Sequence, residues 1–170
     1  MWIFTTIPFL LQAAAITFDE FYFHHKRGLP RWERIGHPVD TVSYLLCLLF
    51  LLFFPCTDWN IKVYIALVTF SCLLITKDEF VHTDHCEASE NWLHALLFVM
   101  HPITLVTAGF MWQGIHAGEA PEWLIHWFDN AAALTLFLQI QAVLIALFCF
   151  YQIIYWNVLW KESTMTSMKS

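Results

Sequence analysis

The sequence predicts an all-α integral membrane protein with about five transmembrane helices, all in a single domain over residues 1–160. Of the 170 residues, 59% are hydrophobic and only 13% are charged, and the mean hydropathy is +0.58. An average soluble domain contains about 25% charged residues. Five apolar runs also reach the length of about 20 residues that a helix needs to cross the hydrocarbon core of a bilayer. The lipid bilayer is therefore the expected solvent.

Charged or turn-forming residues separate the five runs. The first covers about residues 1–23, and we expect a retained span, not a cleaved signal peptide. No Lys or Arg precedes it, and Asp19-Glu20 stands where small cleavage-site residues belong. The other runs cover about residues 38–57, 61–82, 92–115 and 128–160. The last run is longer than a span requires, so a tilted or projecting helix is expected, and the polar tail 161–170 is expected to be disordered.

The distribution of basic residues predicts the orientation. They concentrate in the first loop and after the last span, at Lys26, Arg27, Arg31, Arg34, Lys161 and Lys169. Cytoplasmic loops carry an excess of Lys and Arg. We therefore expect the N-terminus outside and the C-terminus in the cytoplasm, together with the first and third loops.

A short internal sequence repeat indicates a duplication. Residues 17–21 read TFDEF and residues 76–80 read TKDEF, and each lies at the cytoplasmic end of its predicted helix. Glu33-x-x-x-His37 and Glu90-x-x-x-His94 share a spacing, although another register aligns His37 with His101. Either register predicts two hairpins, about 1–57 and 61–116, that form a four-helix bundle. A fifth helix, about 128–160, then lies outside the repeat.

Histidines and carboxylates cluster at the predicted cytoplasmic face. Residues three or four apart share a helix face, and helical bundles build dinuclear sites from inward-facing carboxylates and imidazoles. The expected metal ligands are Glu20, His24, His37, Glu79, His82, His94 and His101. The expected supporting or alternate ligands are Asp19, His25, Glu33, Asp78, His85 and Glu90.

The donor types indicate which metal is expected. Mixed imidazole and carboxylate ligands suit iron, with two ions per chain expected, and zinc is the second choice. The five cysteines include no CxxC pair, which argues against an iron–sulfur cluster. In general design the cluster resembles the histidine-rich membrane di-iron proteins, such as fatty-acid desaturases and hydroxylases. Their boxes are HxxxH and HxxHH, whereas this chain has His24-His25 and His82-x-x-His85, so no residue role is carried over.

The first functional expectation is an oxidoreductase that acts on a lipid or another apolar substrate, with an electron-donor protein as partner. A zinc-dependent lipid hydrolase, a b-type haem electron carrier, a metal or proton transporter and an accessory subunit remain as alternatives. A metal-free alternative pairs the Asp-Glu doublets with Arg31, Arg34 or Lys77. The net charge of −6 gives no basic face for nucleic acid. The aromatic residues 151–160 are expected to form an interfacial belt without chemistry.

Overall fold

The computed structural model describes residues 2–78, 86–116, 122 and 130–160, and this part of the chain is helical with no strand. Four helices are long and apolar enough to cross a membrane. They are α2 (Arg31–Phe53), α3 (Asp58–Ile75), α4 (Ala88–Ile115) and α5 (Ala131–Ile154), which a π-helical turn continues over Tyr155–Leu159. The prediction of an all-helical chain with long apolar helices is confirmed for the described residues.

The first segment is helical but irregular. A 3₁₀ turn over Trp2–Thr6 leads into α1 (Ile7–Phe18), a π-helical turn covers Asp19–His24, and one α-helical turn, His25–Arg27, ends it. Gly28 then reverses the chain with φ of 75°, a conformation that favours glycine. The ring of Trp160 lies 3.2 Å from where a Cβ atom of residue 28 would stand. Glycine therefore allows both the turn and the close approach of the last helix.

Helix α2 begins at Arg31, seven residues before the predicted start at Pro38. Proline has no N–H to donate, so its presence leaves the carbonyl four residues earlier without its helical partner. Here that carbonyl belongs to Arg34, and it accepts a hydrogen bond from Asn157 Nδ2 at 3.2 Å. Because α5 supplies this replacement, α2 continues through Pro38.

The other boundaries differ from the prediction by smaller amounts. Helix α4 begins at Ala88, four residues early, and α3 ends at Ile75, followed by a 3₁₀ turn over Thr76–Asp78. The predicted end of the third span at His82 and the predicted tail 161–170 lie outside the described residues. The side chain of Thr57 caps α3 by accepting from Asn60 N, which fixes its start.

The helices pack around α2, which contacts α3, α4 and α5, while α1 packs against α4. One half of the bundle interior is apolar. Its fully buried side chains are Leu48, Leu51, Leu105, Met111, Leu134 and Leu138. The outward faces are also apolar, with large exposed side chains such as Phe53, Phe70 and Phe150. Apolar surface of this extent is typical of a protein that contacts lipid.

Candidate metal site

The π-helical turn at the end of α1 determines the geometry of the site. In an α-helix of 3.6 residues per turn, residues five apart point about 0.4 of a turn away from each other. The wider π turn brings such residues together, and π turns are frequent at functional sites. Asp19 Oδ2 lies 3.2 Å from His24 Nε2, and Glu20 Oε2 lies 3.1 Å from His24 Nδ1. Both ring nitrogens of His24 therefore face a carboxylate of its own helix.

Helix α4 completes the larger of two groups of donor atoms. His94 Nε2 lies 3.0 Å from the same Oδ2 atom of Asp19. Asp19, His24, Glu90 and His94 each present one ligand atom, and these atoms all lie within 4.8 Å of one another. All four residues are buried, with at most 5% of each exposed.

A smaller group of three shares His24 with the first. Glu20, His24 and His37 present ligand atoms within 4.8 Å of one another. The ring of His37, on α2, lies 4.8 Å from the ring of His24, measured between centroids. Three helices thus bring imidazole and carboxylate to one place.

Arg27 closes the site at the end of the bundle. Its guanidinium donates to Glu33 Oε1 at 3.2 Å and Oε2 at 2.8 Å, and to Glu90 Oε1 at 2.9 Å. Burial lowers the pKa of Arg27, but hydrogen bonds and charge from Glu33 and Glu90 outweigh it and hold the pKa above its usual value. Arg27 is therefore a permanent cation that joins α2 to α4.

Helix α5 reaches the site through Trp156, which is 1% exposed. Its indole Nε1 donates to Glu20 Oε1. The expectation of an interfacial belt without chemistry therefore fails for this residue. Sequence offers a weak signal here, because a buried tryptophan N–H requires an acceptor.

The donor atoms fit a cation. Asp19 Oδ1 is buried and accepts no hydrogen bond from the described residues. Four carboxylates are buried here, those of Asp19, Glu20, Glu33 and Glu90. Arg27 pairs with two of them, Glu33 and Glu90, and its single positive charge is too small to balance four carboxylates. Such an excess inside a membrane protein requires neutralisation by protons or a metal.

The remaining predicted ligands have different positions. His25 points to the aromatic residues of α5, with Nε2 at 3.0 Å from the hydroxyl of Tyr151. Glu33 is held by Arg27. His101 Nε2 lies 2.9 Å from Ser71 Oγ, which in turn lies 2.8 Å from Ser43 Oγ. The two groups of donor atoms do not include these three residues.

Part of the predicted ligand set lies outside the described residues. Glu79, His82 and His85 lie outside the described residues, and so does the side chain of Asp78. Cys86 is described, and burial raises the pKa of its thiol to about 12. In the absence of a metal this thiol is protonated at neutral pH, and neither group of donor atoms includes it.

A cavity of about 190 Å³ connects the donor atoms with the middle of the bundle. Asp19, Glu20, His24, His37 and His94 line one end, and His101 lies in its wall. Most of the remaining lining is apolar, with Phe9, Ile16, Phe98, Ile145 and Phe148 among it. The donor atoms thus border a space that is partly polar and largely apolar.

Fold and site together define the class: an all-helical protein with four helices long and apolar enough to cross a membrane and a buried group of histidines and carboxylates that could hold a metal ion. Comparison with protein-family models, with curated proteins and with solved structures finds no match to this chain. Any assignment of function therefore depends on the chemistry of the site.

Proposed function

We propose that this protein is a membrane metalloprotein with an iron site at its cytoplasmic face, and that it oxidises a lipid or another apolar substrate. One observation carries the proposal. Asp19, His24, Glu90 and His94 come from two helices and place their buried ligand atoms within 4.8 Å of one another. Without a metal, the four buried carboxylates would have one guanidinium beside them, that of Arg27, and protonated imidazoles would have to supply the remaining positive charge.

The donor set favours iron. Two imidazoles with carboxylates are the ligand set of many non-haem iron sites, and zinc accepts the same donors. Glu20 and His37 extend the first group around His24, which gives enough donors for two ions. We therefore propose a dinuclear centre, with zinc as the alternative metal.

The proposed reaction is the hydroxylation of a C–H bond by dioxygen. Two electrons from an electron-donor protein and two protons enter; one oxygen atom is inserted into the C–H bond, and the other leaves as water. The bound iron would activate the dioxygen. The chain's own contribution is to exclude water from the apolar part of the cavity and to hold the metal with fixed carboxylates and imidazoles.

The alternatives receive less support. Pockets for drug-sized ligands measure about 300–1,000 Å³, so a cavity of about 190 Å³ counts against a haem between the histidines. The buried apolar half of the bundle, with Leu51 and Leu138 among its fully buried side chains, offers no polar path for a transported ion. A zinc hydrolase differs from the first proposal by its metal, and metal analysis separates the two.

We further propose five crossings and an internal repeat. The first segment is helical from Trp2 to Arg27, and 26 residues extend about 39 Å at 1.5 Å per residue, enough for a fifth crossing. Arg27 contacts both Glu33 and Glu90, and His37 and His94 both lie beside His24. This favours the register that aligns Glu33-x-x-x-His37 with Glu90-x-x-x-His94. The basic residues then predict a cytoplasmic site and an external N-terminus.

The test is metal content. The full chain is purified in mild detergent, and iron and zinc are measured by elemental analysis with an optical spectrum of the same sample. Two irons per chain without a Soret band are expected. One iron with a Soret band would mean haem, zinc would move the proposal to hydrolysis, and no metal after reconstitution would overturn it.

Two neighbouring histidines provide a matched pair of variants. His24→Ala removes the residue that both groups share and is expected to lose most of the metal. His25→Ala removes an imidazole from the same segment, but that imidazole faces Tyr151, so its metal content is expected to equal that of the wild type. Equal metal loss in both variants would mean that the histidines act through folding alone.

A further inference from the structure

The first and last helices leave a gap between them. Ring contacts join them at two levels: Phe9 with Phe137 at 5.2 Å and, at the other end, Phe21 with Tyr151 at 5.6 Å and His25 with Tyr155 at 4.9 Å, all between centroids. Phe9 and Phe21 are twelve residues apart, so the gap extends for about 18 Å along α1. Between these contacts α1 packs against α4, and α5 packs against α2.

The wall of the cavity reaches the outer surface in this gap. Ala13 on α1 is exposed and also lines the cavity. Ile16 on α1 and Ile145 and Phe148 on α5 are half-buried and line it as well. The cavity is only partly enclosed, and its wall is thinnest at these residues. The cavity therefore opens sideways, toward the position of the bilayer core.

The size of the cavity restricts what can enter. An apolar cavity of about 150 Å³ holds a molecule as small as benzene, so about 190 Å³ accommodates a short hydrocarbon segment. A whole lipid is far larger. An occupant from the bilayer must therefore insert one narrow part and leave the rest in the membrane.

We propose that the gap between α1 and α5 admits the free end of an unbranched alkyl chain from the bilayer and guides it toward the histidine and carboxylate group. This inference rests on the proposed function for the reaction at the site, but the binding step stands on the gap and the cavity. The residues that border the opening are mostly apolar on both sides, with Gln141 on α5 as a polar exception, and the donor atoms lie at one end of the space behind it. Substrate and metal would thus approach the same space from different directions.

Photolabelling tests the inference. The full chain in lipid nanodiscs is irradiated with a hexadecanoic acid that carries a diazirine beside its terminal methyl group, and adducts are located by mass spectrometry. Adducts are expected on Ile16, Ile145 or Phe148 above the level on Leu147, a lipid-facing residue that is 62% exposed. Unlabelled hexadecanoic acid is expected to compete, and an analogue with a tert-butyl end is not.

Neighbouring alanines provide the control variants. Ala13→Trp fills the opening and is expected to lose the labelling, while Ala14→Trp, at an exposed position outside the cavity lining, retains it. Ile145→Trp blocks the opening from the other helix and serves if Ala13→Trp folds poorly. Labelling no higher than on Leu147, or equal labelling in both alanine variants, would overturn the proposal. Metal content is measured on every sample: labelling without metal would refute the metal site alone, and metal without labelling would refute the opening alone.

Discussion

The indole N–H of Trp156 donates a hydrogen bond to Glu20 Oε1, and this contact joins the last helix to the buried carboxylates at the end of the first. The other oxygen of Glu20 lies 3.1 Å from His24 Nδ1. Glu20 is thus held from two sides, by a neighbour four residues away and by a residue 136 positions away in the chain. A fixed carboxylate is what a metal site needs from its surroundings.

Trp156→Phe removes the donor while retaining most of the ring. The variant leaves a buried carboxylate oxygen without its partner, so we expect a loss of about 1–2 kcal/mol in the free energy of unfolding. Metal affinity should fall about 10–100-fold, as is common when a group that orients a ligand is lost. Unfolding in detergent and metal titration provide the measurements. Trp160→Phe is the control, and an equal effect in both variants would contradict a specific role for the Trp156 bond.

Arg27→Gln removes the cation between two buried carboxylates. Breaking a buried ion pair at one partner costs about 3–5 kcal/mol, because the remaining charge stays buried and unpaired. We expect a loss of this size in unfolding experiments, and incomplete rescue by Arg27→Lys, which cannot donate bidentately to Glu33.

Lys26→Gln is the matched control for Arg27. Lys26 pairs with Glu87 at 2.9 Å, but the two side chains are 55% and 62% exposed. Water and salt screen exposed pairs so strongly that they contribute little to stability, so this variant should unfold almost like the wild type. If Arg27→Gln lowered the free energy of unfolding no more than Lys26→Gln does, the contacts of Arg27 with Glu33 and Glu90 would not stabilise the protein.

Apolar run length predicted the four helices that are long and apolar enough to cross a membrane, although not all of their bounds, because a bilayer accepts few alternatives to a long apolar helix. The start of α2 was missed because the charged residues Arg31, Glu33 and Arg34 lie outside the apolar run, and the helix continues through Pro38, where another residue satisfies the freed carbonyl of Arg34. The residue that compensates, Asn157, lies far away in the sequence. Local patterns cannot indicate a hydrogen bond supplied by another helix.

Spacing rules predicted only the part of the site that depends on contacts within a regular α-helix. The pair Glu20 and His24 follows the i, i+4 rule and is in contact. Asp19 was assigned a supporting role because its i, i+5 spacing places it on another face of an α-helix, and only the π turn brings it to His24. From the sequence, Arg27 was used to predict the orientation in the membrane and was not assigned to the site. Its partners, Glu33 and Glu90, meet only after α2 and α4 pack together.

His101 was predicted from the sequence as a metal ligand, but the structure places it outside the candidate site. Its Nε2 is engaged by Ser71, and it does not belong to either group of donor atoms. We expect His101→Asn to retain the full metal content and to lose about 1 kcal/mol of stability, the scale of one hydrogen bond within a membrane protein. Ser71→Ala should behave in the same way. A large loss of metal in His101→Asn with Ser71→Ala unaffected would restore His101 as a ligand.

The repeat makes a prediction for Glu79, whose position lies outside the described residues. If the segments TFDEF and TKDEF are equivalent, Glu20→Gln and Glu79→Gln should each lower the metal content, because each removes one carboxylate ligand and leaves its volume. Elemental analysis of both variants is the measurement. Glu87→Gln changes an exposed carboxylate at the start of α4 and should have no effect. A loss confined to Glu20→Gln would mean that the sequence repeat does not extend to function, and full metal content in both variants would rule out the paired carboxylates as ligands.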